Sequence, residues 1–161
     1  MKLQVGFEQF AALSLFVFSV SFLISQLLSY YPTYINEVKR QTLLSEAYQI
    51  SELLVNDAGE PPYWYSVSLA NVKRIGLLNE SLNKPNVVSV LKVLNASYLC
   101  NTNYPKFKQL LDLKNDINFV VYLEGNLIAN CSHPLGEKAV KISRIISFDN
   151  RSYGELIIWL Y

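Results

Sequence analysis

The chain has 161 residues, of which 17% are charged, and its formal net charge is +1 at pH 7. This composition excludes a polybasic nucleic-acid-binding surface and an acidic tail. The length suffices for one membrane segment and one soluble domain of about 125 residues.

An uncharged segment at residues 10–28 dominates the N-terminal part. Its nineteen residues contain no Pro or Gly, and as an α-helix they would span about 28 Å, the thickness of a bilayer's hydrocarbon core. Glu8 lies at the entrance to this segment, where a carboxylate is costly unless another group pairs with it. Lys2 precedes the segment and Lys39 and Arg40 follow it, so the positive charges favour neither orientation.

Small polar residues lie on one side of this predicted helix. At about 100° per residue, Ser14, Ser21, Ser25 and Ser29 share a face, and the opposite face is apolar. Hydroxyls on one face are typical of helices that pack closely in an apolar medium. The alternative is a plain membrane anchor in which the serines are incidental.

An amphipathic pattern continues beyond Pro32, where the helix can kink. The apolar residues recur at spacings of four, three and four, at Leu43, Ala47, Ile50 and Leu54, which indicates one face for a core. Asp57-Ala58-Gly59 and Pro61-Pro62 supply the stop signal. A single helix is therefore predicted from about residue 5 to residue 56.

The middle of the chain is predicted to begin with a loop-rich connection that wraps this helix, over residues 60–78. Asn83-Lys84-Pro85 then starts a helix, and Asn103-Tyr104-Pro105 starts a shorter one. The residues predicted to share a face of the first helix are Val87, Val90, Leu91 and Leu94.

The last third of the chain changes to a period of two. Alternating apolar residues predict strands that begin near Ile117 and Val140, with a hairpin turn at Gly125-Asn126 and a last strand over residues 153–161. Four strands connected mostly by hairpins imply an antiparallel sheet with one face on the amphipathic helix. The predicted fold class is therefore α+β.

Cys100 and Cys131 are the only cysteines and His133 is the only histidine. A tetrahedral zinc site built from these three residues would still lack one ligand. An extracytoplasmic disulfide is favoured over two free thiols. Neither a metal nor another cofactor is predicted.

Four N-x-S/T motifs support export, and their acceptor residues are Asn79, Asn95, Asn130 and Asn150. Asn130 is the least favourable acceptor, because a disulfide at Cys131 would restrict its backbone. The alternative for each site is an unmodified surface asparagine. Together the cysteines and these motifs predict that the C-terminal part lies outside the cell.

The segment Gln4-Val5-Gly6-Phe7-Glu8 resembles the N-terminus of archaeal type IV pilin-like proteins, the family with a class III signal peptide. In that family a peptidase cuts just before a Gln, and a Glu stands at the fifth mature position. Gln4 and Glu8 match those positions, so the resemblance implies processing between Leu3 and Gln4. A long N-terminal helix followed by a β-rich head is similar over the whole chain.

The resemblance implies a short leader at residues 1–3, a hydrophobic transmembrane or filament-core helix at 4–31, and an extracellular α+β pilin-like head at 32–161. The implied function is that of a structural subunit, major or minor, of an archaeal surface filament located in the cell membrane and the extracellular pilus. Its implied partners are other copies or other pilins, the prepilin peptidase, the membrane before assembly and surface glycans, with no nucleic acid. The filament's role in adhesion, DNA uptake, secretion or motility stays open.

The spacing of Gln4 and Glu8 has a physical reason of its own. Cleavage before Gln4 would create an α-amino group four residues from Glu8. The ammonium and the carboxylate of neighbouring subunits could then neutralise each other in an apolar bundle, where separating them would cost several kcal/mol. Glu8 and the serines Ser14, Ser21 and Ser25 are therefore the predicted assembly residues. The alternative places Glu8 in the headgroup region of a membrane.

No enzymatic active site is predicted. The sequence has no Gly-rich phosphate loop, HExxH or CxxC motif. The carboxylate pairs Asp57 with Glu60 and Asp112 with Asp116 are better explained as helix-end charges and solvated loops. The alternative to a filament subunit is a single-pass, membrane-anchored extracytoplasmic binding or assembly module that does not polymerise.

Overall fold

The computed structural model describes the backbone of residues 2–82, 84–134, 136, 139–149 and 152–161, with side chains from residue 8 onward. The chain divides into two compact units, residues 1–40 and residues 41–161. Helix α1 (Lys2–Asn56) includes Pro32 and runs from the first unit into the second. This confirms the predicted long N-terminal helix.

The second unit combines the end of α1 with two further helices, α2 (Val90–Thr102) and α3 (Tyr104–Leu110), and a set of strands in the described residues. Strands β1 (Gly59–Glu60) and β2 (Arg74–Ile75) pair with each other antiparallel. The larger sheet is built from β3 (Val87–Val88), β4 (Ile117–Leu123), β5 (Asn126–Cys131), β6 (Val140–Phe148) and β7 (Tyr153–Leu160). Its order is β3-β6-β7-β4-β5, parallel between β3 and β6 and antiparallel elsewhere. The predicted α+β class is confirmed.

The turn between β4 and β5 lies one residue earlier than predicted. Leu123 pairs with Asn126, so Glu124 and Gly125 are the two turn residues, with φ of 49° and 82°. Two-residue hairpins whose central residues both have positive φ match the twist of the flanking strands. Gly125 therefore takes the second turn position, and Asn126 begins the strand.

Helix α2 begins later than predicted and buries a different face. Val87 and Val88 form a strand beside β6, and α2 starts only at Val90. Leu91 and Leu94 are 58% and 44% exposed. The buried residues of α2 are Lys92, Val93, Ala96, Leu99 and Cys100. The predicted apolar face is wrong because a charged residue, Lys92, occupies the interior.

The amphipathic half of α1 packs into the same core as the sheet. Ala47, Ile50 and Leu54 are buried there, as the sequence pattern predicts, together with apolar residues of β4 and β7. The loop after α1 contacts the end of this helix through a hydrogen bond, which the Leu77 N–H donates to the Leu54 carbonyl at 2.7 Å. Gly76 permits this approach, since a Cβ at that position would collide with the Asp57 carbonyl.

Lys92 is fully buried, and its ammonium group binds three oxygen atoms. Its Nζ donates to the carbonyls of Ala58 at 2.9 Å and Leu78 at 2.8 Å. It also forms an ion pair with Glu80 Oε2 at 2.6 Å. Two backbone carbonyls therefore accept hydrogen bonds from the ammonium group, and the Glu80 carboxylate balances its charge. The contacts join α2 to the end of α1 and to the loop that wraps it.

Arg144 makes a second link, between β6 and α1. Its Nε donates to Ser51 Oγ at 2.9 Å, and its Nη2 lies 2.7 Å from Glu52 Oε1. The guanidinium carbon also lies 4.6 Å from the centre of the Tyr48 ring, within the range of a cation–π contact. The charge of Arg144 is therefore neutralised on the helix side of the sheet.

We expect Lys92→Met to lower the free energy of unfolding by about 3–5 kcal/mol, because it leaves the half-buried Glu80 carboxylate and two carbonyls without their cation. The matched control is Lys73→Met, since Lys73 is 76% exposed in its 2.8 Å ion pair with Glu60 and solvent-exposed pairs contribute little to stability. Urea unfolding of the full chain in detergent micelles, followed by tryptophan fluorescence, measures both. Equal losses in the two variants would contradict the role of Lys92.

The contribution of Glu80 to the free energy of unfolding should depend on pH. Burial alone would raise the pKa of Glu80, but the hydrogen bond and charge of Lys92, a backbone N–H and the Tyr65 hydroxyl outweigh it and lower the pKa below 4.5. A carboxylate with a lower pKa in the folded state stabilises the fold above its unfolded-state pKa, and this stabilisation disappears as the pH falls through the folded pKa. The unfolding free-energy difference between wild type and Glu80→Gln should therefore be large at neutral pH and shrink in acid. A difference that stays constant with pH would contradict this assignment.

Candidate functional site

The first unit presents an apolar helix surface without protein cover. By length and composition α1 can cross a membrane, and its most apolar 18-residue segment is entirely exposed. Its exposed large side chains include Phe16, Phe18 and Leu27. An apolar surface of this extent is typical of helices that contact a membrane or another protein.

A shallow groove of about 460 Å³ lies on the serine side of this helix and is lined by Ser21, Ile24, Ser25, Leu28 and Ser29. The Ser29 hydroxyl donates back to the Ser25 carbonyl at 2.9 Å. The Ser21 and Ser25 hydroxyls make no hydrogen bond to any described residue. These two groups can therefore bond to a second helix that enters the groove.

The other predicted assembly residues of the helix are also exposed. Ser14 lies seven residues before Ser21, on the same side of the helix. Glu8 is exposed at the start of the described side chains. The side chains of Leu3 and Gln4, the predicted processing pair, lie outside the described ones, so cleavage there stays a prediction.

In the second unit Cys100 and Cys131 form a disulfide, which confirms the predicted pairing. The two Cα atoms are 5.7 Å apart, and both side chains are fully buried. The bond joins α2 to the end of β5. Beside it the Ser97 hydroxyl and the Asn101 amide both donate to the Asn130 carbonyl at 2.7 Å, so α2 covers the outer edge of β5.

His133 lies next to this disulfide. One of its ring nitrogens is within 4.8 Å of both sulfur atoms, and its ring packs against the Tyr104 ring, tilted by 36° with the centroids 3.9 Å apart. Metal binding requires thiolates, and the disulfide removes both sulfurs from that role. In this state the three residues therefore form a packed cluster rather than a metal centre.

Tyr104 anchors the same cluster to β4. Its hydroxyl accepts the Ile117 N–H at 2.8 Å, and burial raises the pKa of Tyr104 to about 12. Lys108 donates to Asp116 at 2.7 Å, and this bond lowers the pKa of Asp116 below its usual value. Tyr104 thus stays protonated at neutral pH, while Asp116 stays ionised.

The other carboxylates that the sequence singled out lie in ion pairs or turns of the head. Asp57 pairs with Arg74 at 2.7 Å, and Glu60 pairs with Lys73. Asp112 follows α3 with a φ of 53°. Asp57 and Glu60 therefore neutralise cations of the head, and Asp112 lies at a turn that ends a helix.

The glycosylation motifs differ in the accessibility of their acceptors. Asn79 accepts the Ser81 N–H at 2.8 Å and donates its amide to Asp149 at 2.5 Å. Asn95 donates its amide to the Leu91 carbonyl at 2.8 Å within α2.

Asn130 is exposed, whereas Asn79 and Asn95 are half-buried, and Asn150 lies outside the described residues. Asn130 is therefore the most exposed of the described acceptors, and which of the motifs carry a glycan stays a prediction. The disulfide at Cys131 restrains the backbone of Asn130 without covering its side chain.

Sequence reasoning missed the buried Lys92, the stacking of His133 on Tyr104 and the partners of Arg144. The hydrophobic pattern of α2 could have raised the question of Lys92, because it interrupts an apolar run. The other contacts join residues far apart in the chain, and no local pattern indicates them.

No protein-family model, curated protein or solved structure matches this chain. The functional proposal therefore depends on the chain's own residues and their geometry.

Replacing both cysteines, with Cys100→Ala and Cys131→Ala together, should lower the free energy of unfolding by about 3.5 kcal/mol, because the disulfide restricts the unfolded chain. Urea unfolding of the full chain in micelles measures the loss. A non-reducing peptide map of the wild-type protein is the control. Recovery of both cysteines as alkylatable thiols before reduction would contradict the assigned bond.

Proposed function

We propose that this chain is a structural subunit of an archaeal type IV-like surface filament, in which the N-terminal helices of neighbouring copies pack against each other. The observation that carries the proposal is the groove on α1, where the Ser21 and Ser25 hydroxyls, which bond to no described residue, lie on an exposed and mostly apolar helix. This surface offers both close approach and hydrogen bonds to a second helix.

The energetics of such a core differ from those of a soluble protein. Moving the helix from lipid into a bundle of similar helices changes its apolar contacts little, so the hydrophobic effect contributes little to assembly. Van der Waals packing and interhelical hydrogen bonds must provide the affinity. Small hydroxyl-bearing residues serve both needs, because they let two backbones approach and supply donors.

Glu8 provides register in this proposal. Processing before Gln4 creates an α-amino group that can pair with the Glu8 carboxylate of a neighbouring subunit. Inside an apolar bundle an unpaired carboxylate costs several kcal/mol, so a helix shifted out of register is disfavoured. The head then lies outside the cell, where an oxidising environment keeps the Cys100–Cys131 bond intact.

Glu8→Gln tests the register role, because it keeps size and hydrogen-bonding capacity but removes the charge. We expect filament incorporation to fall sharply while membrane insertion stays normal. The matched control is Glu37→Gln, which removes a carboxylate that pairs with Arg40 at 3.7 Å on the same helix and should leave filaments unchanged. Filament yield and length by negative-stain microscopy, beside an immunoblot of membrane-held subunit, measure the effect.

A second pair of variants tests the groove itself. Ser25→Phe fills the groove and should reduce filament yield, whereas Leu23→Phe, on the opposite side of the helix, should not. Mass spectrometry of the mature N-terminus checks processing in each strain. Wild-type filaments from both Glu8→Gln and Ser25→Phe, or a surface protein that still begins at Met1, would favour the membrane-anchored module that does not polymerise.

A further inference from the structure

Strand β6 has an edge that its neighbour covers only at one end. On one side β7 pairs with β6 from Val140 to Ser147. On the other side β3 pairs only with Ser147 and Phe148. Among the described residues, no strand lies beside residues 140–146 on this second side.

The direction of the backbone groups along this edge follows from two hydrogen bonds. The Ser147 N–H donates to Asn86 on the β3 side at 2.9 Å, and the Phe148 N–H donates to Ser152 on the β7 side at 2.9 Å. Because backbone groups alternate along a strand, the N–H and C=O groups of Lys141, Ser143 and Ile145 face the open edge. No described group forms a hydrogen bond with them.

An open groove of about 580 Å³ runs beside these residues, and Tyr48 and Asn86 border it. Arg144 does not block this groove with an unpaired charge, because Ser51 and Glu52 hold its guanidinium. The opposite edge of the sheet differs, since side chains of α2 bond to Asn130 of β5. The groove at β6 thus has room and unpaired donors and acceptors for another strand.

We propose that strand β6 of a second copy of this chain occupies the edge, antiparallel to the first and related to it by a twofold axis at Ser143. The three residues with edge-facing groups are self-complementary in this arrangement. Ser143 lies opposite its own copy, and Lys141 of each chain lies opposite Ile145 of the other. The edge-facing N–H and C=O groups of each strand then form hydrogen bonds with the same groups of the other copy, as an isologous contact requires.

The side chains on the solvent face favour this register over one centred on Lys141. Ile145, which is 78% exposed, would cover Lys141 of the other copy, whose Nζ lies 5.8 Å from the centre of the Trp159 ring. Within one chain Ile145 of β6 pairs with Glu155 of β7. Lys141 of the second copy, lying opposite Ile145, would therefore be two strands away from this Glu155 carboxylate. A twofold axis at Lys141 would instead place two ammonium groups opposite each other, which is unfavourable.

This contact goes beyond the proposed filament function and does not depend on it. A twofold contact closes on itself and does not extend into a filament. It therefore joins two heads through a surface separate from the serine groove on α1.

Disulfide trapping in the full chain tests the register, because the native bond is buried and stays intact. Ser143→Cys should cross-link to its own copy upon mild oxidation, since directly opposite residues lie about 5.5 Å apart. Lys141→Cys and Ile145→Cys should cross-link mainly in a mixture of the two variants, because a residue and its own copy would be about 13 Å apart along the strand. Leu127→Cys, which is 54% exposed on β5, is the control and should remain monomeric.

Ser143→Pro tests the edge by removing one edge-facing N–H while leaving the backbone bonds to β7 intact, although it also removes the hydrogen bond from the Ser143 hydroxyl to Glu155 of β7. We expect at least about tenfold weaker dimerisation by sedimentation in micelles, with an unchanged unfolding midpoint. If the proline variant unfolds, Ile145→Lys places an ammonium group opposite Lys141 and should weaken dimerisation to a similar degree.

Cross-linking of Ser143→Cys no stronger than that of Leu127→Cys, or no preference for the mixed product, would overturn the proposal. The proposal would also be overturned if dimerisation were unchanged in a folded Ser143→Pro variant, or in Ile145→Lys if the proline variant unfolds. The Ser25→Phe variant separates this contact from the filament, because it should leave the cross-linking pattern as in the wild type.

Discussion

The fold of the second unit depends on the buried ammonium group of Lys92. It donates to carbonyls at the end of α1 and in the loop that follows, and it pairs with the Glu80 carboxylate, so one side chain joins three segments that also share the apolar core. A buried cation that lost its partners would cost the fold about 3–5 kcal/mol, so the arrangement that supplies them is favoured over others. The disulfide at Cys100 then holds the other end of the same helix against β5. Helix α2 is thus joined to neighbouring elements near both of its ends.

Local patterns predicted the elements whose burial follows their own periodicity. Ala47, Ile50 and Leu54 lie on one face of α1, and the alternation around Phe119 and Val121 gives β4. The prediction of α2 was wrong where tertiary partners outweigh periodicity. Leu91 and Leu94 are exposed because Lys92 finds acceptors in segments 14 and 34 residues away. No window of the sequence contains that information.

In the candidate site too, some features follow from the sequence and others required the structure. The exposed helix and the side on which Ser21 and Ser25 lie follow from composition and helical spacing, so both could be read from the sequence. The sequence does not show which serine hydroxyls form hydrogen bonds within the helix. The Ser19 and Ser29 hydroxyls donate to carbonyls four residues earlier, whereas those of Ser21 and Ser25 do not. The open edge of β6 also required the structure, since it depends on where β3 leaves the sheet. Asn86, with a φ of 59°, turns the chain away there and uncovers the rest of the strand.

The two proposed contacts draw on different physics and can therefore operate independently. Helices in an apolar medium associate through packing and a few hydrogen bonds, and the hydrophobic effect adds little. A strand edge in water instead gains affinity when unpaired backbone groups exchange water for a partner strand and when Ile145 leaves solvent. Salt should screen the Lys141–Glu155 attraction at the edge, whereas it should hardly affect a carboxylate paired inside an apolar bundle. A subunit with both surfaces can join its copies through the helix in one environment and through the head in the other.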